Sequence, residues 1–333
     1  MSISEAHPDS GSKTRDDLIA AILAFLAGHD LLTLEDIRKA LEREIDEAGP
    51  DALLRLKQRL TEADDGWDYH PSDPLARRIH HLLADRLLHP ESTLVGIGHV
   101  EALTGRPVAI FANHLSYADA NLIEMLLHRS GGDVLADRLT ALAGPKVFTS
   151  RQRRFSSLCF GAIRTPQNAD VSTGEAVMTT REVARAARTA IEAARERLRL
   201  RDALVIFGEG TRSRTRGMQE LLVGVTRYLD DPGTWVLPVG ITGTDGLFPI
   251  GDEALHPVRV IVHAGTPFDA AALRTCAGHN RRLMMDAIGV AIADVLPPDY
   301  RGRYGESAED LGEARRVLSE TRRAARSGAG DPT

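Results

Sequence analysis

Cysteine is almost absent from this chain of 333 residues: there are two, Cys159 and Cys276. Neither stands in a CxxC pair, which argues against a structural zinc site and against a disulfide framework. So little cysteine suits a reducing compartment. Long apolar runs are missing too. The longest near the N-terminus, residues 18–28, is 11 residues, whereas a spanning helix needs about 20. A secretory leader fits poorly, because acids such as Asp9, Asp16 and Asp17 precede that run and no small-residue cleavage site follows it cleanly. There is no basic excess: 41 Lys and Arg against 47 Asp and Glu leave a net charge of −6, which argues against a surface built throughout for nucleic acid. No GxSxG elbow supports a serine hydrolase. Neither a dinucleotide fingerprint nor a P-loop is completed. His80, His81, His256, His263 and His279 lack metal-ligand spacing. The expected location is cytoplasmic, at most peripheral at a membrane surface, with no metal and no nucleic-acid partner.

What remains is ordinary soluble composition, 43% hydrophobic and 26% charged, at a length that suggests about two domains. Residues 1–12 are polar and read as disordered. Residues 13–90 carry apolar positions at spacings of three and four, broken at 63–74 by Gly66, Pro71 and Pro74, and read as a small helical domain. Thr33 is the expected cap of its second helix, with Asp36 in a near capping box. From residue 91 to 305 the pattern changes. Short apolar runs at 94–97, 108–112, 139–143, 203–207, 235–242 and 259–263 alternate with helical stretches at 117–128, 179–201 and 279–295. That alternation predicts an α/β domain with a mixed, mostly parallel sheet flanked by helices. A charged helix over 308–326 and a disordered tail close the chain, residues 306–333.

Two constellations follow strands. Asn113-His114-Leu115-Ser116-Tyr117-Ala118-Asp119 follows the run 108–112 and opens a helix. A carboxylate that orients an imidazole makes a general base. Five residues apart on a straight helix the two side chains diverge by roughly 140°, so they can meet only if His114 lies on the elbow before the helix. Standing alone, a capping Asn, a surface His and an acid in the first turn is the more ordinary reading. The second constellation, Phe207-Gly208-Glu209-Gly210-Thr211-Arg212-Ser213-Arg214, follows the run 203–207. Its glycines permit close backbone approach, and Arg212, Arg214 and Arg216 offer forks for phosphate oxygens. An exposed polar turn is the plainer reading of such a loop by itself. A third feature is a basic stretch. Residues 138–169 hold Arg138, Lys146, Arg151, Arg153, Arg154 and Arg164 but no acid. That field suits an anionic partner, an anionic lipid surface included, or is a solvated face. The seven arginines of 179–201 alternate with Glu182, Glu192 and Glu196 and read as a solvated face.

Taken together, these residues resemble the glycerolipid acyltransferase family, the glycerol-3-phosphate and 1-acylglycerol-3-phosphate O-acyltransferases. The family's NHxSxxD motif is complete in Asn113 to Asp119. Its FPEGTRS motif reads FGEGTRS at Phe207 to Ser213, with Gly208 where proline is usual. Its apolar, proline-bearing fourth motif matches Val236-Leu237-Pro238-Val239-Gly240-Ile241. The second motif is present only loosely, in Gly161-Ala162-Ile163-Arg164, and Val223 stands where the family often has lysine. The likeness covers roughly residues 92–267. The helical N-terminal region and Ala143-Gly144-Pro145-Lys146-Val147 are similar to the soluble plastid-type members.

The resemblance implies acyl transfer from acyl-CoA or acyl carrier protein to a hydroxyl of glycerol 3-phosphate or 1-acylglycerol 3-phosphate, in phospholipid biosynthesis. His114 would be the base and Asp119 its orienting partner, with no acyl-enzyme and no cofactor beyond the donor. Glu209, with Gly210 and Thr211, would contact acceptor hydroxyls. Arg212, Arg164 and Lys146 would bind phosphate, and backbone N–H groups near the helix start would stabilise the oxyanion. A different lyso-lipid or metabolite acceptor, and a phospholipid-binding module without catalysis, are the alternative readings.

Overall fold

The computed structural model describes residues 8–26, 28, 30–61, 66–149, 151–166, 178–247, 249, 255–305 and 309–327. Four helices open the chain, Pro8–Phe25, Leu31–Ala48, Pro50–Thr61 and Pro74–Leu87. Residues 8–12, read from sequence as disordered, belong to the first of them. Pro8 suits a first helical position, because its φ is fixed and its missing N–H has no intrahelical partner there. Residues 1–7 and 328–333 lie outside the described residues. The cap of the second helix is Asp30 rather than Thr33. Its carboxylate accepts the Thr33 N–H at 2.9 Å, and an acid suits that end of the helix dipole.

Nine strands among the described residues form one sheet. They are β1 (Tyr69–His70), β2 (Thr93–Val95), β3 (Val108–Ala112), β4 (Leu139–Ala143), β5 (Gly161–Arg164), β6 (Ala203–Phe207), β7 (Trp235–Thr242), β8 (Ile261–Ala264) and β9 (Phe268–Asp269). The order is β1-β5-β4-β6-β3-β7-β8-β2, with β9 on β7. β3 to β7 are parallel; β1 pairs antiparallel with β5, β8 and β9 pair antiparallel with β7, and β2 pairs parallel with β8. Every residue of β3 is buried, as a central strand covered on both faces requires. One face packs against the helices Thr180–Arg199, Arg281–Ala293 and Gly312–Ser327, the other against Asp119–Arg129. Thr179 and Glu182 close a full capping box on Thr180–Arg199. Its buried stripe Ala186, Ala190, Ala194 and Leu198 repeats every fourth residue. Gly96, at φ +87°, ends β2 early, and a Cβ there would lie 2.3 Å from the Ala264 carbonyl oxygen.

A proline in a central strand is unusual, and Pro238 is accommodated by position. The antiparallel partner of β7 changes there, from β9 at Trp235 and Val236 to β8 from Val239 on. The Pro238 carbonyl accepts Gly265 N–H at 2.8 Å across that gap. Its nitrogen faces the same side, so no ladder bond is lost.

The helical layer does not stand apart. Its core of Ile19, Leu26, Ile37, Leu41, Leu56 and Ile79 includes Leu158 from the far side of the chain, and β1 pairs with β5. The change of sequence pattern near residue 90 is therefore no break in packing. No helix among the described residues is long and apolar enough to cross a membrane.

Candidate active site

Because β3 to β7 run the same way, the residues that follow them meet at one edge of the sheet, where open α/β sheets bind ligands. Asn113 fixes the end of β3. Its Nδ2 donates to the Ile241 carbonyl at 2.9 Å and its Oδ1 accepts the Ile241 N–H at 2.7 Å. The side chain thus extends the β3–β7 pairing beyond its last backbone step. His114 is on the loop between β3 and the helix Asp119–Arg129, which solves the angular problem of a five-residue offset. Its Nδ1 lies 2.8 Å from Asp119 Oδ2. The carboxylate is fully buried, and the same oxygen accepts the N–H groups of Leu115 at 2.7 Å and Ser116 at 3.0 Å. A carboxylate can only accept, so Nδ1 carries the hydrogen, and in the neutral imidazole Nε2 is then the atom with the lone pair. The imidazole stacks on Phe207 with ring centroids 4.2 Å apart and planes 18° apart.

That arrangement engages three of the amides near the helix start, where donors to the oxyanion are expected. Leu115 and Ser116 donate to Asp119, and Ala118 N–H donates to Ser116 Oγ at 3.3 Å. A buried carboxylate requires such donors.

Glu209 is also buried, at 5% exposure. Its Oε1 accepts His114 N–H at 2.8 Å and its Oε2 accepts Gln219 N–H at 2.7 Å. Ser213 N–H returns to the His114 carbonyl at 2.7 Å. The two motif loops therefore hold the backbone of the base from both sides. Burial pushes the Glu209 carboxyl up to about 7, against the opposing pull of its two backbone donors. An acid with a higher pKa folded than unfolded holds its proton more tightly when folded. The associated stability is complete below about pH 4.5 and is lost as the pH rises to about 7. Glu209→Gln should remove this dependence. Between pH 5 and pH 8 in urea unfolding, the wild type should lose about 2 kcal/mol relative to the variant. Parallel curves would refute the assignment.

The other expected residues spread along the edge. Gly210, at φ +71°, donates to the Phe207 carbonyl at 3.0 Å and turns the chain. Thr211 follows it and is exposed. Arg212 lies with its guanidinium 3.9 Å from the centroid of the Tyr117 ring. Lys146 sits in the 3₁₀ turn Pro145–Phe148 after β4. Arg164, at the end of β5, packs on Trp67 at 4.4 Å and Phe148 at 5.8 Å. It is three strands from β3, about 14 Å at the usual strand spacing, so it is not gathered at the His114–Asp119 pair. Arg216 pairs with Asp245 at 2.8 Å and Asp299 at 3.4 Å. No group of three or more His, Cys, Asp or Glu among the described residues is placed to hold a metal ion.

Next to the pair lies an apolar cavity of about 450 Å³, within the usual range for ligand sites. It opens between the N-terminal helices and the α/β body. Its walls include Ile22, Leu56 and Leu83 on one side and Leu122, Phe155 and Cys159 on the other, and it reaches Ala118, the neighbour of Asp119.

Residues 97–242, which contain both motif loops and end with β7, match the family model described as Acyltransferase. That stretch of the chain is similar to the acyltransferase family. A 1-acyl-sn-glycerol-3-phosphate acyltransferase of Chlamydomonas reinhardtii is 29% identical over 208 residues, 62% of this chain and 53% of that protein. The chain thus spans about half the length of this curated relative. The solved structure of the 1-acyl-sn-glycerophosphate acyltransferase PlsC from Thermotoga maritima is 17% identical, with a TM-score of 0.42, covering 96% of this chain and 99% of that one. Within the matched stretch, sequence reasoning missed Phe207 as the ring under His114, Gln219 as the second donor to Glu209, and Ile241 as the partner of Asn113. Of the three, Phe207 and Ile241 stand inside motifs, as the first residue of one and the last of another, and only Gln219 stands outside them.

Proposed function

We propose that the protein moves a fatty acyl group from a thioester, acyl-CoA or acyl carrier protein, to a hydroxyl of glycerol 3-phosphate or 1-acylglycerol 3-phosphate. The observation that carries this reading is the oriented His114–Asp119 pair beside an apolar cavity. His114 Nε2 takes the proton of the acceptor hydroxyl, and the oxygen attacks the thioester carbonyl. The C–O bond forms as the C–S bond breaks, and the imidazolium returns its proton to the departing thiolate. Asp119 stabilises the imidazolium meanwhile. No covalent acyl-enzyme is needed. Arg212 would hold the acceptor phosphate, with Lys146 and Arg164 farther along the same edge. The name of the algal relative favours the 1-acyl acceptor, and the basic stretch of 138–169 suits an anionic donor or lipid.

The acyl chain would enter the cavity. Filling it with Leu83→Trp should shift preference from palmitoyl-CoA toward shorter thioesters, read as a ratio of kcat/KM values across chain lengths; an unchanged ratio would place the chain elsewhere. The primary test is thiol release from palmitoyl-CoA by the purified protein, with and without each acceptor. Release stimulated by either glycerol phosphate supports the reading and identifies the acceptor. Silence with both, repeated with an acyl carrier protein donor, would overturn it.

A further inference from the structure

Tyr117 lies on the loop between His114 and Asp119 and is 36% exposed. Two guanidinium groups rest on its ring. One is Arg212, from the loop after β6, with its central carbon 3.9 Å from the ring centroid. The other is Arg153, at 4.4 Å, from the short helix Arg151–Ser157. Arg153 belongs to none of the family motifs, and its segment is separated from Arg212 by more than fifty positions of sequence. The negative π faces of the ring attract both cations, and planar guanidinium forks are matched to the oxygens of a phosphate group. The field around them is positive: residues 138–169 contribute six bases and no acid. The nearest motif carboxylates, Asp119 and Glu209, are buried and turned inward to backbone amides. The ring is three residues from the base, so a phosphate bound here would lie on the reacting side of the sheet.

We propose that Arg153 and Arg212, posed on the Tyr117 ring, bind a phosphate group of a substrate, with Arg153 a binding residue and Tyr117 a positioning residue. The assignment of that phosphate to a substrate rests on the acyl-transfer reading; the binding itself does not. Two sources share the chemistry, the phosphate of the glycerol acceptor and the phosphates of a CoA donor.

The test is calorimetric titration of the full chain with glycerol 3-phosphate and, separately, with CoA, for wild type, Arg153→Ala and Tyr117→Phe. Loss of one charge-assisted contact should weaken one of the two ligands by about tenfold or more and leave the other within about twofold. Tyr117→Phe, which keeps the ring, should bind like wild type. A loss confined to glycerol 3-phosphate supports the proposal with the acceptor as source, and a loss confined to CoA supports it with the donor as source. Unchanged affinity for both, or no binding of either by the wild type, overturns it. So does an equal loss of both with a lowered melting temperature, which marks a structural role. If phosphate binding depends on Arg153 but no acyl transfer is found with any donor, the clamp stands and the activity reading falls.

Discussion

His114→Ala is expected to lower kcat by about 10²–10⁴-fold, the range contributed by a positioned general base, and to leave the melting temperature close to that of the wild type. The reason for the second half is local. Removing the imidazole deletes one bond to Asp119 and the stack on Phe207. The carboxylate keeps its two backbone donors, Leu115 and Ser116, so no buried charge is stranded. Single-turnover acyl transfer and thermal unfolding on the same sample read both quantities. Near-normal turnover would remove His114 from the mechanism.

Asp119→Ala should match that loss of rate and differ sharply in stability. It leaves the imidazole without its orienting acceptor, and it leaves the Leu115 and Ser116 N–H groups buried without one. Each buried orphan donor costs about 1–3 kcal/mol, so a loss on the order of 2–6 kcal/mol is expected in urea unfolding. Because the two residues act as a unit, the double variant should be no slower than either single one. Additive rate losses, or a fully stable Asp119→Ala, would show that the carboxylate does not hold the loop as described.

Much of this was legible in the chain. The strands at 108–112, 139–143, 203–207 and 235–242 were bounded correctly, because central strands covered on both faces are continuous apolar runs that end sharply. Short edge elements were not legible. β1 has two residues and β9 two, and neither carries a periodic signal; their pairing is decided by what the sheet edge needs. The helix over 308–326 begins instead at Gly312, after a 3₁₀ turn Glu309–Leu311. Within the site, His114 and Asp119 could be placed from spacing and the strand boundary. The role of Glu209 could not. As a motif residue it suggested contact with the acceptor, whereas its two oxygens face backbone amides of His114 and Gln219. Backbone partners of a side chain depend on how two distant loops cross, and nothing in local composition encodes that crossing. The pairing of Arg153 with Tyr117 is of the same kind.

The pairing of β1 with β5 bears on how this protein can be cut. The stretch matched by the family, 97–242, looks like a portable unit, yet it omits β1, β2, β8 and β9 and the helix Arg281–Ala293 that covers one sheet face. Expressed by itself it would present β5 and β7 as raw edges, the condition under which strands from separate copies join. It would also lose the N-terminal wall of the apolar cavity. The boundary that defines kinship in this chain is thus narrower than the boundary that defines a foldable body. Fusions, truncations and domain transplants would have to respect the wider one.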